Sequence, residues 1–258
     1  MAKQTVLVLG AHGETGGDIL EGLLKDGNFV SLANAFLHPK LHATECSQEV
    51  SALVQPSSVD KPAVKALVSR NISVVIADLQ GPLDALVKAI KGYDTIISCI
   101  GPHAQLAQLP LVDAAAQAGT KRFVPCGFIT VCPPHGVMKM REAKEAVYNR
   151  IWYHHLPYTI IDVGFWHQIS VFRVPSGKFD YALAMDNSEL YGDGEAKTLL
   201  TDKRDIGRFV ARIVKDPRTI NQKVFTWSDE LSQNEIVSLV EKKTGEQLQP
   251  SHVSVSDS

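Results

Sequence analysis

The sequence predicts an α/β fold in which a doubly wound parallel sheet is covered by helices on both faces. Short β-branched runs alternate with longer helical patterns over residues 5–125. The runs are apolar on both faces, as expected for strands of a covered parallel sheet. The first run leads directly into a glycine-rich loop and a helical pattern. The expected strands are residues 5–9, 50–54, 74–77, 95–100 and 122–125, and the expected helices include 62–69, 83–90 and 106–118.

Composition and charge limit the classes of function. The 258 residues are 45% hydrophobic and 21% charged, with a net charge of -2, which is typical of a soluble globular protein and gives no reason to expect a nucleic acid or a membrane as partner. The first strand-like run begins too early to leave room for a signal peptide. Cys46, Cys99, Cys126 and Cys132 lack the spacing of a metal site. We therefore expect no metal, reduced thiols and a cytoplasmic monomer or homodimer.

The expected domains are a dinucleotide-binding Rossmann domain over residues 1–163 and a smaller, apparently shortened substrate-binding part over 164–250, interleaved with it. A Ser-rich tail over 251–258 is expected to be disordered. Residues 30–48 do not fit, because a Rossmann unit joins its first helix to its second strand through a few residues. They are interpreted either as a retained intron, since the codons at their ends can resemble splice sites, or as a surface loop. Of the two candidate second strands, 29–36 and 50–54, the latter is favoured.

The loop after the first strand has the spacing GxxGxxG. Gly10 allows a tight turn out of the strand, Gly13 lets the backbone approach a pyrophosphate, and Gly16 lets the helix pack closely on the sheet. The helix N-terminus offers free N–H groups to the phosphates. A glycine-rich structural turn is the alternative interpretation. The residues expected to hold the dinucleotide here are Gly10, Ala11, His12, Gly13, Glu14, Thr15 and Gly16.

The end of the second strand indicates which nicotinamide cofactor is bound. Gln55 occupies the deciding position, and the absence of an acid there disfavours NAD. Ser57 and Lys61 can receive the 2′-phosphate of NADP, although the same segment also reads as a turn and helix cap. Ligands of open α/β sheets lie beyond the carboxyl ends of the strands. The residues expected to line the cofactor path there are Asp78, Leu79, Ser98, Cys99 and Ile100.

The reacting group is less evident from the residues alone. The Tyr-x-x-x-Lys pair of short-chain dehydrogenases is absent, because the tyrosine position relative to Lys144 is Met140. A partly desolvated lysine beside a nicotinamide ribose can transfer protons. A solvated lysine on a charged helix is the alternative for Lys144. His154 and His155 are adjacent, so they point to different helix faces and do not form a metal pair.

The chain resembles the NmrA-like and isoflavone reductase-like branch of the atypical short-chain reductases, and more narrowly its fungal members. The resemblance implies an NADPH-binding Rossmann domain, a smaller substrate-binding part and reduction of aromatic metabolites. It implies that Lys144 is both catalytic and cofactor-binding, and that Phe165 lies near the nicotinamide. The segments that carry it span most of residues 4–247 and include "VLGAHGETG", "ALVQPSSVDKPAV", "DTIISCIG", "AAAQAGTKRFVPCGF" and "KEAVYNRIWYHHLPYTIIDVGFW".

The chain departs from the family pattern at several places. His12 stands where a threonine is usual, and Gln55 stands where an arginine is usual. The lost arginine contact to phosphate is worth roughly 1.5–3 kcal/mol. The "PSEFG" loop becomes "PCGFI" at residues 125–129, and the segment that closes the substrate pocket in relatives is replaced by a polar end.

We expect an NADPH-dependent reductase of a small aromatic or polyketide-like metabolite, with hydride from the nicotinamide C4 and with Lys144 assisting proton transfer. Two alternatives stay open: a nicotinamide redox sensor without turnover, and a cofactor-bound rearrangement or isomerisation enzyme.

Overall fold

The structure is a computed structural model that describes residues 4–25, 29–31, 48–178, 180–183 and 188–254. The chain forms two compact units. The first contains residues 1–127, 132–161 and 204–224, and the second contains 128–131, 162–203 and 225–258.

A parallel sheet forms the centre of the first unit, which confirms the predicted fold class. The described strands are β1 Gln4–Leu9, β2 Phe29–Ser31, β3 Gln48–Val54, β4 Ser73–Ile76, β5 Thr95–Ser98, β6 Arg122–Val124, β7 Thr159–Asp162, β8 Phe165–Trp166, β9 Glu189–Tyr191, β10 Thr198–Thr201, β11 Gln222–Phe225, β12 Asp229–Leu231 and β13 Ser251–Val253. The strands of the central sheet are ordered β2-β3-β1-β5-β6, with β4 also paired to β3, and every pairing is parallel.

The described helices are α1 Glu14–Lys25, α2 Pro62–Ser69, α3 Leu83–Ile90, α4 Leu109–Ala118, α5 Lys139–Tyr153, α6 His167–Ser170, α7 Lys203–Ile213 and α8 Gln233–Thr244. Helices follow β1, β3, β4 and β5 of the sheet. The apolar faces of α3, α4 and α5 bury a core against β1, β3, β5 and β6, in which Leu7, Leu53, Ile96 and Phe123 are inaccessible to solvent.

The segment predicted as an insertion, residues 30–48, is partly described. Val30 and Ser31 belong to β2, which pairs in parallel with the first residues of β3, and β3 begins at Gln48. Both ends of the segment are therefore part of the sheet. Residues 32–47 lie outside the described residues. The favoured second strand is confirmed, because β3 is the strand that pairs with β1.

The second unit contains a small mixed sheet of order β12-β10-β8, in which β8 is parallel and β12 antiparallel to β10. Its core is formed by Phe172, Val174, Leu200, Ile236 and Val240. The N-terminus of α8 carries the capping box that the sequence predicts. Ser232 Oγ accepts from Glu235 N, and the Glu235 carboxylate accepts from Ser232 N.

Two sequence expectations differ from the structure at the C-terminal side. Ser251–Val253 form β13, which pairs in parallel with β9, so the prediction of a disordered tail is wrong for these three residues. Backbone pairing to a segment distant in sequence orders them. Residues 255–258 lie outside the described residues. Residues 204–224 belong to the first unit, although the predicted bounds 164–250 include them in the substrate-binding part that is expected to be interleaved with the Rossmann domain. No helix in the described ranges is long and apolar enough to cross a membrane.

Candidate active site

The glycine loop forms a tight turn between β1 and α1. Gly10 has a left-handed backbone, with φ +77°, and Gly13 N donates to Gly10 O at 2.8 Å. Gly17 N then donates to Gly13 O at 2.8 Å, which starts the hydrogen bonds of the helix. Because β1 ends at the carboxyl edge of the sheet, the turn places the N-terminus of α1 at that edge. This is the strand–turn–helix arrangement that the GxxGxxG spacing predicts.

Close backbone contacts explain why two of these positions are glycine. A Cβ at Gly10 would lie 2.1 Å from Cys99 O, and a Cβ at Gly16 would lie 2.1 Å from Gly10 O. Both neighbours are main-chain atoms, so they cannot move aside without displacing the turn. A Cβ at Gly13 would approach Gly10 O at 3.2 Å, which is tight but less severe. The glycines therefore let the turn, the strand end after β5 and the first turn of α1 meet.

The first helical turn presents a feature that opposes anion binding. Glu14 is the first residue of α1 and is exposed, and Thr15 and Gly16 complete the turn. A helix N-terminus carries the positive end of the helix dipole, which favours an anion. The Glu14 carboxylate already places a negative charge there. A bound phosphate therefore meets the favourable dipole and an unfavourable side-chain charge.

Two buried polar atoms border the turn. Ala11 is buried, and the His12 that follows it is half-buried. Within the described part of the chain, His12 Nδ1 and the hydroxyl of Ser98 have no hydrogen-bond partner. Burial, and next the positive charge of Lys61, hold the pKa of His12 below its usual range. Unpaired polar groups beside a glycine turn fit a dinucleotide that supplies hydroxyl and phosphate partners.

The strand end that is predicted to select the cofactor leads into a short helical turn. Gln55 follows β3, is half-buried and precedes the 3₁₀ turn Pro56–Ser58. Ser57 and Lys61 are exposed, and Lys61 is the residue before α2. Neither Gln55 nor Lys61 makes a side-chain cap to the helix it precedes. Lys61 is therefore not used as a helix cap, and its charged side chain is exposed to solvent.

The residues that follow β4 and β5 differ in their exposure and in their hydrogen bonds. Asp78 is exposed, and its carboxylate accepts from Gln80 N at 2.9 Å in a local turn. The Leu79 side chain is fully buried in the core, so only its backbone is available to a ligand. Cys99 is anchored by its N–H to Leu9 O at 2.9 Å, and burial raises the pKa of its thiol. Ile100 is half-buried, and its carbonyl accepts bonds from two side chains described below.

Lys144 is the buried ammonium of the site. Its side chain lies on the buried face of α5 and is only 4% exposed. Nζ donates to Cys126 O at 2.5 Å, to Gly127 O at 3.0 Å and to Gln105 Oε1 at 3.2 Å. The first two acceptors belong to the loop after β6, at the carboxyl edge of the sheet. The lysine is therefore not a solvated surface residue, which was the alternative interpretation.

An ion pair lies on the same buried face of α5. Arg141 Nε donates to Glu145 Oε1 at 2.7 Å, and both side chains are almost fully buried. The Arg141 guanidinium also lies over the Tyr148 ring, 5.3 Å from its centroid. A buried charge pair needs such complete partners to offset its desolvation.

Sequence reasoning missed the glutamines that connect these strand ends. Gln105 Nε2 donates to Gly101 O at 3.0 Å and Ile100 O at 3.3 Å. Gln108 Nε2 donates to Gln105 O at 3.0 Å, while its Oε1 accepts from Cys126 N at 2.9 Å. The Cys126 thiol donates to Ile100 O at 3.3 Å. Two glutamines three residues apart before a helix were the only sequence signal, and it is a weak one.

Phe165 belongs to the second unit and forms β8 with Trp166. Gly164, which precedes it, has φ +74°, and a Cβ there would lie 2.6 Å from Leu199 O. Trp166 Nε1 donates to Phe128 O at 3.2 Å, which fixes the indole. The Phe165 side chain is 37% exposed, unlike the core aromatics of this unit. Its exposure leaves the ring available for a ligand.

Comparisons with known proteins agree with this description. The NmrA-like family matches residues 2–257, so the fold and the glycine turn are those of a Rossmann-type nucleotide-binding protein. The chain belongs to the NmrA-like family. An Asnovolin J 5′,6′-dehydrogenase of Aspergillus novofumigatus is 38% identical, over 96% of this chain and 72% of the relative. A phenylcoumaran benzylic ether reductase of Betula pendula is 31% identical, over 97% of this chain and 78% of the relative.

Solved structures give the same assignment. AtPrR2 with NADP⁺ and (+)pinoresinol superposes with a TM-score of 0.77 at 26% identity, covering 100% of this chain and 81% of that one. The leucoanthocyanidin reductase–NADPH complex of Vitis vinifera gives 0.74 at 25% identity, covering 98% and 79%. These relatives are oxidoreductases, and the two complexes hold NADP(H). The predicted family and the predicted class, an NADP(H)-linked oxidoreductase, are confirmed.

Proposed function

We propose that this chain uses NADPH to reduce a small aromatic or polyketide-like metabolite, and that Lys144 acts at the substrate oxygen. One observation carries the proposal. A buried ammonium lies at the same carboxyl edge of the sheet as the glycine turn, and the loop after β5 contacts both. Cys99 O packs against Gly10, while Ile100 and Gly101 bind Gln105, which accepts from Lys144 Nζ.

The residues of the first unit have distinct roles in this proposal. The N–H groups of the glycine turn and the N-terminus of α1 bind the pyrophosphate. Lys61, with Ser57, receives the 2′-phosphate. Ser98 offers its unpaired hydroxyl. NADPH, when bound, supplies a hydride from the nicotinamide C4.

Lys144 Nζ holds the proton that is transferred to the substrate oxygen. Its ammonium is stabilised by the Cys126 and Gly127 carbonyls, which accept from the charged form. A substrate oxygen that gains negative charge near Nζ is stabilised by the ammonium and receives its proton.

A second function is favoured by one observation. All three donor positions of the Lys144 ammonium point to protein acceptors, as they would if the lysine served only to hold the loop after β6. A nicotinamide-binding regulatory protein without turnover would keep this arrangement.

Cofactor binding is tested first, by tryptophan fluorescence titration with NADPH and NADH. We expect NADPH to bind more tightly. Lys61→Met weakens NADPH binding about 3–10-fold and leaves NADH unchanged, because it removes one partly screened charge. Lys65→Met is the matched control, since Lys65 is exposed on α2, the helix that Lys61 precedes, and is paired with Asp60. Equal NADPH affinity in wild type and Lys61→Met contradicts the 2′-phosphate assignment.

Turnover is tested next, with (+)-pinoresinol and an isoflavone as probes and in both directions, because one fungal relative is named a dehydrogenase. We expect stoichiometric NADPH consumption with at least one aromatic probe. Lys144→Met should lower kcat by at least 100-fold while the NADPH Kd changes less than threefold. Redox-dependent cofactor binding without turnover of any probe supports the regulatory function instead. Product formation without net NADPH loss supports rearrangement.

A further inference from the structure

The Gln105 amide lies between the lysine and the strand end after β5. Its side chain is 3% exposed and lies in the 3₁₀ segment Pro102–Gln108. The chemistry of its partners fixes the orientation of the amide. The oxygen faces Lys144 Nζ at 3.2 Å, and an ammonium can only donate. The nitrogen faces Gly101 O at 3.0 Å and Ile100 O at 3.3 Å, and carbonyls can only accept.

The three acceptors of Lys144 differ in their freedom to move. The carbonyls of Cys126 and Gly127 belong to the main chain, so they stay where the loop places them. Cys126 is itself held, because its N–H donates to Gln108 Oε1 at 2.9 Å. The Gln105 oxygen is the one side-chain oxygen among the three. It also accepts from Gln108 Nε2 at 3.2 Å, so it keeps a hydrogen-bond donor when an incoming oxygen takes its place at Nζ, and the exchange displaces no backbone atom.

We propose that Gln105 is a positioning residue for Lys144. Its amide oxygen keeps Nζ protonated and orients one N–H of Nζ in the direction in which it donates to the substrate oxygen. The inference rests on the proposed function of Lys144. In the free protein, Nζ carries three protons and donates one to each of the three acceptors. When a substrate oxygen takes the place of Oε1, the same proton is directed at that oxygen, and the two carbonyls retain the other two. Proton transfer then leaves a neutral amine with both remaining N–H groups bonded.

Other charges near the lysine are accounted for by their own partners. On α5, Arg141 and Glu145 pair at 2.7 Å. On the loops packed against α5, burial raises the pKa of the Cys99 thiol, with the neighbouring Cys126 thiol adding to the effect. The titratable groups on the other described elements packed against α5 include His103, which is exposed on the 3₁₀ segment, and Asp113 of α4, which pairs with His154 at 2.7 Å. Lys223 of β11 also faces α5, with its Nζ 5.9 Å from the centroid of the Tyr148 ring.

The first test measures the protonation of Lys144 in the cofactor-free protein. The ¹⁵Nζ resonance of Lys144 is assigned by its absence in Lys144→Met, and its pH midpoint is recorded. Gln105→Met removes one acceptor of the ammonium, so the midpoint should fall by about one pH unit. Gln105→Glu keeps the oxygen and adds a charge, so the midpoint should rise. Gln117→Met is the control, because Gln117 is exposed on α4.

The second test measures turnover with the probe that the wild type reduces. The pH dependence of kcat has one limb that reports the deprotonation of Lys144. In Gln105→Met, the midpoint of that limb should fall by about one pH unit, as the midpoint of the resonance does. The NADPH Kd should stay within threefold, since Gln105 binds the loop and not the phosphates. A purely structural role predicts a lower melting temperature with an unmoved midpoint and an unmoved limb.

The outcomes separate this inference from the proposed function. If the midpoint in Gln105→Met stays within 0.3 pH units of wild type (a cut-off of roughly 0.4 kcal/mol), the positioning role of Gln105 is overturned, whatever the activity. If Lys144→Met keeps full kcat, the proposed role of Lys144 fails, even where the midpoint moves as expected. If Gln105→Met does not fold, Gln105→Glu carries the same test with the opposite sign.

Discussion

Gly22 in α1 and Gly207 in α7 bring two helix backbones into direct contact. A Cβ at Gly22 would lie 2.2 Å from both the carbonyl carbon and the carbonyl oxygen of Gly207. A Cβ at Gly207 would lie 2.0 Å from Asp18 O. No side chain fits between main chains at this distance. The contact places α7 against α1 of the first unit, to which residues 204–224 belong, although these residues follow 162–203 of the second unit.

The first prediction concerns this helix contact. Gly207→Ala should lower the free energy of unfolding by about 1–3 kcal/mol or more, because the added methyl group forces the helices apart. Urea unfolding measures the change. Gly17→Ala is the control, since a Cβ there meets its nearest neighbour only at 3.7 Å. Equal stability of Gly207→Ala and wild type would show that the helices separate without cost.

The second prediction concerns the glycine turn. Gly16→Ala places a Cβ 2.1 Å from Gly10 O and 2.6 Å from Gly10 C, so the turn must shift. We expect NADPH binding to weaken at least tenfold, because the turn's N–H groups no longer converge on the pyrophosphate. The fluorescence titration compares it with Gly17→Ala, which should bind NADPH as the wild type does. Unchanged binding in Gly16→Ala would place the pyrophosphate elsewhere.

The third prediction concerns the acid at the N-terminus of α1. Glu14→Gln removes a negative charge where a phosphate is expected, so NADPH binding should tighten about 2–5-fold at low salt. The gain should shrink as salt rises, because the side chain is exposed. Glu21→Gln on the same helix makes the same change in net charge away from the turn, and it should leave the Kd unchanged. Weaker binding in Glu14→Gln would mean that the carboxylate contacts the cofactor favourably.

The fourth prediction concerns Arg122, whose side chain is buried at the start of β6. Its guanidinium donates to Ile213 O at 2.9 Å, to Thr219 Oγ1 at 3.0 Å and to Asp216 O at 3.0 Å. Arg122→Met leaves these acceptors without the guanidinium, which should cost about 2–4 kcal/mol of stability. Arg122→Lys should recover only part of the loss, because one ammonium does not span all three acceptors. Thermal and urea unfolding rank the variants, and a wild-type Tm for Arg122→Met would contradict the assignment.

The fifth prediction concerns acid stability. Hydrogen bonds from Arg218 lower the pKa of Asp216 to about 2. A carboxyl group whose folded pKa is depressed adds stability above its unfolded pKa, and that stability is lost as the pH falls through the folded value. The wild-type Tm should therefore fall between about pH 4 and pH 2, and the fall should be shallower in Asp216→Asn. Parallel Tm curves for the two proteins would exclude this contribution.

The sequence by itself determined the features that depend on neighbouring residues. The GxxGxxG turn, the Ser232 capping box and the left-handed Gly245 that ends α8 are all local, so spacing and residue type are sufficient to predict them. The strand positions of the first unit follow for the same reason, because a buried parallel strand is a short, continuous apolar run.

Tertiary structure alone decided what is brought together across the chain. The pairing of β13 with β9, the contact of Gly207 with Gly22 and the bonds of Gln105 to Lys144 join segments far apart in sequence. Such contacts leave no local periodicity, since a glutamine or a glycine has the same propensity whatever it later contacts. The sequence therefore indicated the family and the lysine, while the fold decided how that lysine is held.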